Sequence, residues 1–265
     1  MGFRYSVRDA TPADYPVFAR LFPELHVPDP LLTAAQFEER MLPHTVIAED
    51  AGRPVGYSHF RFYGATAHVV HVVVDPQARG RGVGKALMDA VRARIVRAGS
   101  TRWYLNVKKD NAPAIRLYES AGLAVEKRGW SMRADWAALL ALPGASDTTP
   151  FEPTPDELAA LCSALDVDGE RLAVVRARPG NVFVALRDAN GPCAFAVFDP
   201  AFPGVYPVGA ARPEHARPLF HALHPHARVP HLNIFVEGGE ALARALLAGG
   251  ATLSFEILRM GAALA

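Results

Sequence analysis

Cysteine is scarce: Cys162 and Cys193 are the two in 265 residues. So few, so irregularly placed, they support neither a disulfide framework nor a thiolate zinc site, and they read as small buried apolar residues. Ten histidines show no H-x-x-x-H or H-E-x-x-H spacing, so no metal site is expected. Charge of one sign is also missing, with 28 Lys and Arg against 27 Asp and Glu. That balance argues against a dedicated nucleic-acid or anionic-membrane protein, which needs a concentrated cationic face. No apolar run approaches the roughly 18 residues of a membrane helix, and the N-terminal residues do not read as a signal peptide. The expected location is the cytoplasm.

Half of the residues are apolar, and the length suffices for two domains. The chemistry concentrates in Val69–Tyr118. A valine strand (69–74) leads through Asp75-Pro76-Gln77-Ala78-Arg79 into Gly80-Arg81-Gly82-Val83-Gly84. An amphipathic helix follows from Lys85 to about Ala98, then a strand (103–107) and a second helix from about Asn111. At a helix N-terminus the first amide N–H groups lack intrahelical partners and the dipole is positive, so an anion is held by backbone alone. Glycine at 80, 82 and 84 is expected to clear Cβ atoms from a pyrophosphate's approach and to permit positive φ. Arg79, Arg81 and Lys85 add cations.

The spacing fits neither established nucleotide loop. Gly80-x-Gly82-x-Gly84 is not G-x-G-x-x-G, and Lys85 is followed by Ala86 rather than Ser or Thr. The run Gln77-Ala78-Arg79-Gly80-Arg81-Gly82, with Asp75-Pro76 before it and Val83-Gly84-Lys85 after it, resembles the acetyl-CoA loop of the GNAT superfamily of N-acetyltransferases. Leu105-Asn106-Val107, Asn111, Ala114-Ile115, Leu117-Tyr118-Glu119 and Gly122-Leu123 resemble that superfamily's next strand and helix.

Upstream, Phe3–Arg8 alternates as a strand, and Thr11-Pro12 with Asp14 marks a helix start. Thr33 opens another helix over 34–41. Strands are expected at 45–49 and 54–60, joined by a turn. Glu24, His26 and Asp29, between the two helices, are candidate acceptor contacts by the resemblance. Residues 143–150 are a linker by composition. Beyond it, residues 182–193 echo 45–56, and Leu232-Asn233-Ile234 with the following helix and Gly249-Gly250 echo the strand from Leu105 through Gly122. The expected architecture is α/β, a duplicated GNAT fold on a mixed sheet. Its domains are a catalytic one at 1–142, the linker, and a degenerate copy at 151–265, which lacks G-x-G and has Glu214 where phosphate would lie. Such a copy suits a monomer with an internal pseudo-dimer; a homodimer is the other arrangement. Its histidines at 215, 221, 224, 226 and 231 read as surface residues.

The resemblance implies an N-acetyltransferase using acetyl-CoA as co-substrate and acting on a primary amine, either a small molecule or a protein lysine or N-terminus. Direct attack in a ternary complex is expected, because no cysteine lies near the motif. Cofactor contacts would come from Val72, Val73, Val74, Arg79, Gly80, Arg81, Gly82, Val83, Gly84, Lys85, Asn111 and Tyr118. Tyr118 would be the general acid toward the leaving thiolate. Family members that place a glutamate where this chain has Asn106 leave the base to be sought elsewhere. His71 is the candidate, with His68 expected on the opposite strand face and Glu49 acting through water. The alternative function is a non-catalytic acyl-CoA-binding sensor or scaffold.

Overall fold

The computed structural model describes residues 5–27 and 30–264, so Asp29 lies outside the described residues. The chain packs as two compact units. One comprises residues 1–107, 111–124 and 260–265; the other comprises 108–110 and 125–259.

The first unit contains β1 (Ser6–Asp9), α1 (Tyr15–Leu21), α2 (Ala34–Arg40), β2 (Thr45–Asp50), β3 (Arg53–Tyr63), β4 (Thr66–Val74), α3 (Val83–Arg97), β5 (Arg102–Lys108) and α4 (Ala112–Ser120). Local signals open the helices where the sequence puts them. Thr11 and Asp14 form a capping box ahead of α1, and Thr33 with Gln36 forms another at α2. The strands run in the order β1-β2-β3-β4-β5. The pairs β1–β2, β2–β3 and β3–β4 are antiparallel, whereas β4–β5 is parallel. On one sheet face Phe18, Leu21, Phe37 and Met41 of the helical layer pack on Ile47, Tyr57 and Val73. On the other, α3 buries Val83, Leu87, Met88, Val91 and Ile95, one residue per helical turn or two.

The second unit contains β6 (Ala124–Asp135), α5 (Trp136–Leu140), β7 (Thr149–Phe151), α6 (Pro155–Ala164), α7 (Gly169–Arg176), β8 (Val182–Asp188), β9 (Gly191–Asp199), β10 (Gly204–Ala210), α8 (Ala216–Leu223), β11 (His231–Glu237), α9 (Glu240–Ala248) and most of β12 (Thr252–Ala263). Its strand order is β12-β6-β11-β10-β9-β8-β7. The β8–β9 hairpin and the parallel β10–β11 pair repeat β2–β3 and β4–β5. The core gathers Trp136, Phe198, Leu219, Phe220, Leu232, Ile234 and Leu246.

A one-residue irregularity in β4 decides what its side chains face. His59 pairs with His71 and Phe60 with Val69, leaving Val70 as an extra residue, a β-bulge. The bulge reverses the alternation. His71 lies beside His59, and His68 beside Arg61, two positions further along β3 on the same face. The expectation that His68 and His71 take opposite faces is therefore corrected: both lie on the face covered by α1 and α2.

Candidate active site

The loop after β4 is fixed at its start by Asp75, which is 7% exposed. Its carboxylate accepts from Arg20 Nη1 at 2.5 Å and from the Gln77 amide at 3.0 Å. These bonds, the Arg20 one foremost, hold its pKa below the usual range. Gly80 and Gly82 have φ of +72° and +93°, a conformation that a side chain strains. Gly82 caps α3, and its carbonyl accepts from the Ala86 amide at 3.1 Å. The amides of Val83, Gly84 and Lys85 thus sit in the first turn, where no intrahelical carbonyl reaches them. Tyr5 Oη ties the loop down through the Arg81 carbonyl at 2.9 Å.

Gly84 does something else. A Cβ there would stand 2.9 Å from Leu117 Cδ2, so this glycine lets α4 approach α3. Gly80 and Gly82 take the positive φ expected of all three loop glycines, whereas Gly84, inside α3, does not and meets Leu117 instead. The cations are present and already paired: Arg79 with Glu24 at 2.6 Å, Arg81 with Asp50 at 3.1 Å, and Lys85 with Asp89 at 2.9 Å. All three pairs are surface pairs, weak enough to give way to a phosphate. Glu24 is thereby directed to the loop rather than to an acceptor.

Beyond the bulge β4 leaves β5. Registered parallel pairs run from Thr66–Arg102 to Val69–Leu105, while β4 continues to Val74 and β5 to Lys108. The Asp75 amide bonds the Val55 carbonyl of β3 at 2.9 Å, so by strand alternation Val73 also turns its main-chain groups to β3, and of the three expected contacts Val72 and Val74 turn theirs toward the opening between the strands. The Val74 carbonyl accepts from Arg79 Nε at 3.2 Å, and the Val73 side chain is buried in the core. Asn111 caps α4, its side-chain oxygen accepting from the Ala114 amide at 3.3 Å. Two turns on, Tyr118 is 8% exposed, and burial pushes its phenol up to about 12.

On the helix-covered face, Tyr57, His59 and Arg61 of β3 stand with His68 and His71 of β4 and Tyr104 and Asn106 of β5. Thr45 Oγ1 donates to the Met41 carbonyl at 2.7 Å and lies 3.1 Å from His59 Nδ1. Its hydrogen being so used, it accepts from His59 Nδ1–H, and His59 Nε2 in turn accepts from Arg61 Nε at 3.3 Å. This relay fixes His59 as a neutral imidazole. Burial, assisted by the Arg61 charge, pulls its pKa down to about 2. His71 lies 5.9 Å from His59 and 6.0 Å from Tyr57, ring to ring, and the same two causes bring it down to about 4. Tyr57 Oη, His71 Nδ1 and Asn106 Oδ1 are buried with no hydrogen-bond partner among the described residues. Glu49 is engaged by Arg8 at 2.8 Å. Sequence reading passed over Tyr57, His59 and Arg61, although His59 and Arg61 alternating with Phe60 and Phe62 are a legible sign of a polar strand face.

The second unit repeats the parallel pair but not the cradle. After β10 the chain enters Pro213-Glu214-His215 with no glycine pair. Leu142 packs against Gly249 at the end of α9, and the Ala145 amide donates to the Glu214 carbonyl at 2.9 Å, so the segment after α5 lies along this region. His215 is fully buried, against the expectation of a surface histidine. Asp188, Cys193 and His215 bring their ligand atoms within 4.8 Å of one another. Arg212 already bonds Asp188 at 3.2 Å and His215 Nε2 at 3.1 Å, supplying the cation there.

Comparison with known proteins follows the same division. Residues 6–123 match the family model described as acetyltransferase (GNAT) family. N-alpha-acetyltransferase RimI of Mycobacterium tuberculosis is 37% identical over 123 residues, which are 42% of this chain and 73% of that one. Mycothiol acetyltransferase of Brachybacterium faecium is 41% identical over 68 residues, spanning 26% of this chain and 20% of the relative. A tandem GNAT protein from the clavulanic acid biosynthesis pathway superposes over 98% of this chain and 99% of its own with a TM-score of 0.57 at 17% identity, a likeness of fold. Among the described residues no helix is long and apolar enough to cross a membrane. The chain belongs to the acetyltransferase (GNAT) family.

Proposed function

We propose that this protein transfers the acetyl group of acetyl-CoA to a primary amine, with the chemistry in the first copy (1–142 in chain order) and none in the second. The observation that carries the reading is the opening between β4 and β5 beside a helix capped by a positive-φ glycine. The residues fit the ligand. A Cβ at Gly80 would meet nothing within 4 Å, the amides of Val83, Gly84 and Lys85 face a phosphate, and β4 offers amide-to-amide pairing for a pantetheine arm. The main-chain N–H of Val74 polarises the thioester carbonyl as oxyanion charge develops. The amine attacks directly, the C–N bond forms as the C–S bond breaks, and Tyr118 delivers its proton to the thiolate. His71 is neutral at physiological pH and takes the proton that the nitrogen sheds on bonding to carbon. Asn106 in place of an acid favours a second reading, a non-catalytic acyl-CoA sensor.

Thermal melts with and without acetyl-CoA, on the native chain and on Gly82→Asp, test the site. Ligand at a hundred times its dissociation constant adds about 2.7 kcal/mol to the native chain. A shift in both proteins, or in neither, refutes the assignment of the loop. Thiol release with a panel of amines separates transferase from sensor.

A further inference from the structure

On the helix-covered face of the first unit's sheet, Arg61 makes no ion pair among the described residues. Tyr57, His59, Arg61, His68, His71, Val73, Tyr104 and Asn106 include no carboxylate. Arg61 is half-buried, and its Nε donates to His59 Nε2 at 3.3 Å; among the described residues no carboxylate accepts from its terminal nitrogens. The charge is felt all the same. It lowers the pKa of His44, His59 and His71, each of which is also desolvated and stays neutral.

The relay Arg61–His59–Thr45–Met41 serves to hold this guanidinium in one place. Arg61 Nε is thereby held at His59 Nε2, and the His59 ring lies 5.9 Å from that of His71. The same sheet face carries three buried polar atoms with no partner among the described residues, Tyr57 Oη, His71 Nδ1 and Asn106 Oδ1. Buried polar atoms are ordinarily hydrogen-bonded, and three on one sheet face together describe a place for a polar ligand. Asn106 Oδ1 accepts and cannot donate, which suits an amine N–H. Arg61 donates and cannot accept, which suits an anion, and a guanidinium matches the two oxygens of a carboxylate.

We propose that Arg61, held by His59, binds a carboxylate on the acceptor, and that the acceptor is accordingly a free amino acid whose amine lies at Asn106 and His71. This rests on the transferase reading above. A protein N-terminus or lysine, whose neighbouring carbonyl is amidated, leaves Arg61 unpaired and is the poorer substrate.

The test measures thiol release from acetyl-CoA with the common α-amino acids, each beside its carboxamide, and with short peptides bearing a free N-terminus. The native chain is expected to use at least one acid with kcat/KM about tenfold or more above its carboxamide, the worth of one charge-assisted bond. Arg61→Gln brings the two within about threefold, and Arg61→Lys keeps part of the preference because it restores charge without the planar fork. An unchanged melting shift with acetyl-CoA shows that each variant is folded. Turnover of carboxamides or peptides as fast as of acids by the native chain, or a preference that survives Arg61→Gln, overturns this assignment and leaves the transferase standing. No thiol release with any amine, while acetyl-CoA still raises the melting temperature, overturns both.

Discussion

A methyl group on Gly56 would stand 2.7 Å from the carbonyl oxygen of Val73. The obstacle is main chain, and Leu87 and Val83 close the same space at 3.3 Å, so nothing moves aside cheaply. Gly56→Ala is expected to destabilise the protein by about 1–3 kcal/mol and to push β4 where it offers its backbone to the cofactor. Chemical denaturation gives the first number and acetyl-CoA titration the second consequence. Gly84→Ala is the contrast. There the obstacle is the tip of Leu117 at 2.9 Å on a half-exposed side chain, and alanine gains about 1 kcal/mol of helix propensity, so stability stays within about 1 kcal/mol. Equal losses at both positions would contradict this account.

Acid sensitivity should come from histidines before carboxylates. His59 and His71 titrate near 6.5 when unfolded and at about 2 and about 4 when folded. Because the folded pKa is the lower, their stabilising effect is complete above pH 6.5 and is lost as pH falls from 6.5 toward 4. Each adds a slope of up to about 1.4 kcal/mol per pH unit in that window. Denaturant midpoints from pH 7 to 5 measure the slope, and His71→Asn should reduce it by about half. A flat profile would mean that the two imidazoles are solvated.

Cys193 should be inert while the chain is folded. It is 3% exposed, its Sγ donates to the Leu186 carbonyl at 3.4 Å, and burial first, then the nearby Asp188, raises the thiol to about 11. Thiolate is the reactive form, so labelling at pH 7 should track unfolding. Rapid labelling under native conditions would count against this burial.

The sequence announces what is local. The capping boxes at Thr11 and Thr33, the strand–loop–helix from Val69 and the repeat of 45–56 at 182–193 each depend on residues close in the chain, and the structure has helices and strands at those places. What is not local stays hidden. The extra residue at Val70 is defined by pairing with β3, and without it the face of His71 comes out wrong relative to His68. Gly84 reads as part of a phosphate loop until Leu117 arrives from 33 positions away. The cluster of Asp188, Cys193, Arg212 and His215 needs a hairpin and a loop brought together. Membership of residues 260–265 in the first unit is likewise a matter of packing, since their position in the chain places them with the second copy.

Tyr118 gives the sharpest separation of binding from chemistry. Burial alone raises its phenol to about 12, so it remains protonated through the range in which an amine nucleophile becomes neutral. On the reading proposed above, the phenol donates to the sulfur as the C–S bond breaks, a transfer that its raised pKa makes uphill and its placement must offset, and the phenolate recovers a proton from solvent. Tyr118→Phe keeps the ring that packs in α4 and removes the hydroxyl, so the melting temperature and its shift with acetyl-CoA should change little. The rate constant kcat should fall about 10²-fold or more with KM for acetyl-CoA nearly unchanged, the usual worth of a positioned acid. If the loss appears in KM instead, the hydroxyl binds the cofactor rather than protonating it. If kcat is unaffected, water carries the proton, and Tyr118 is a packing residue of the helix that Asn111 caps.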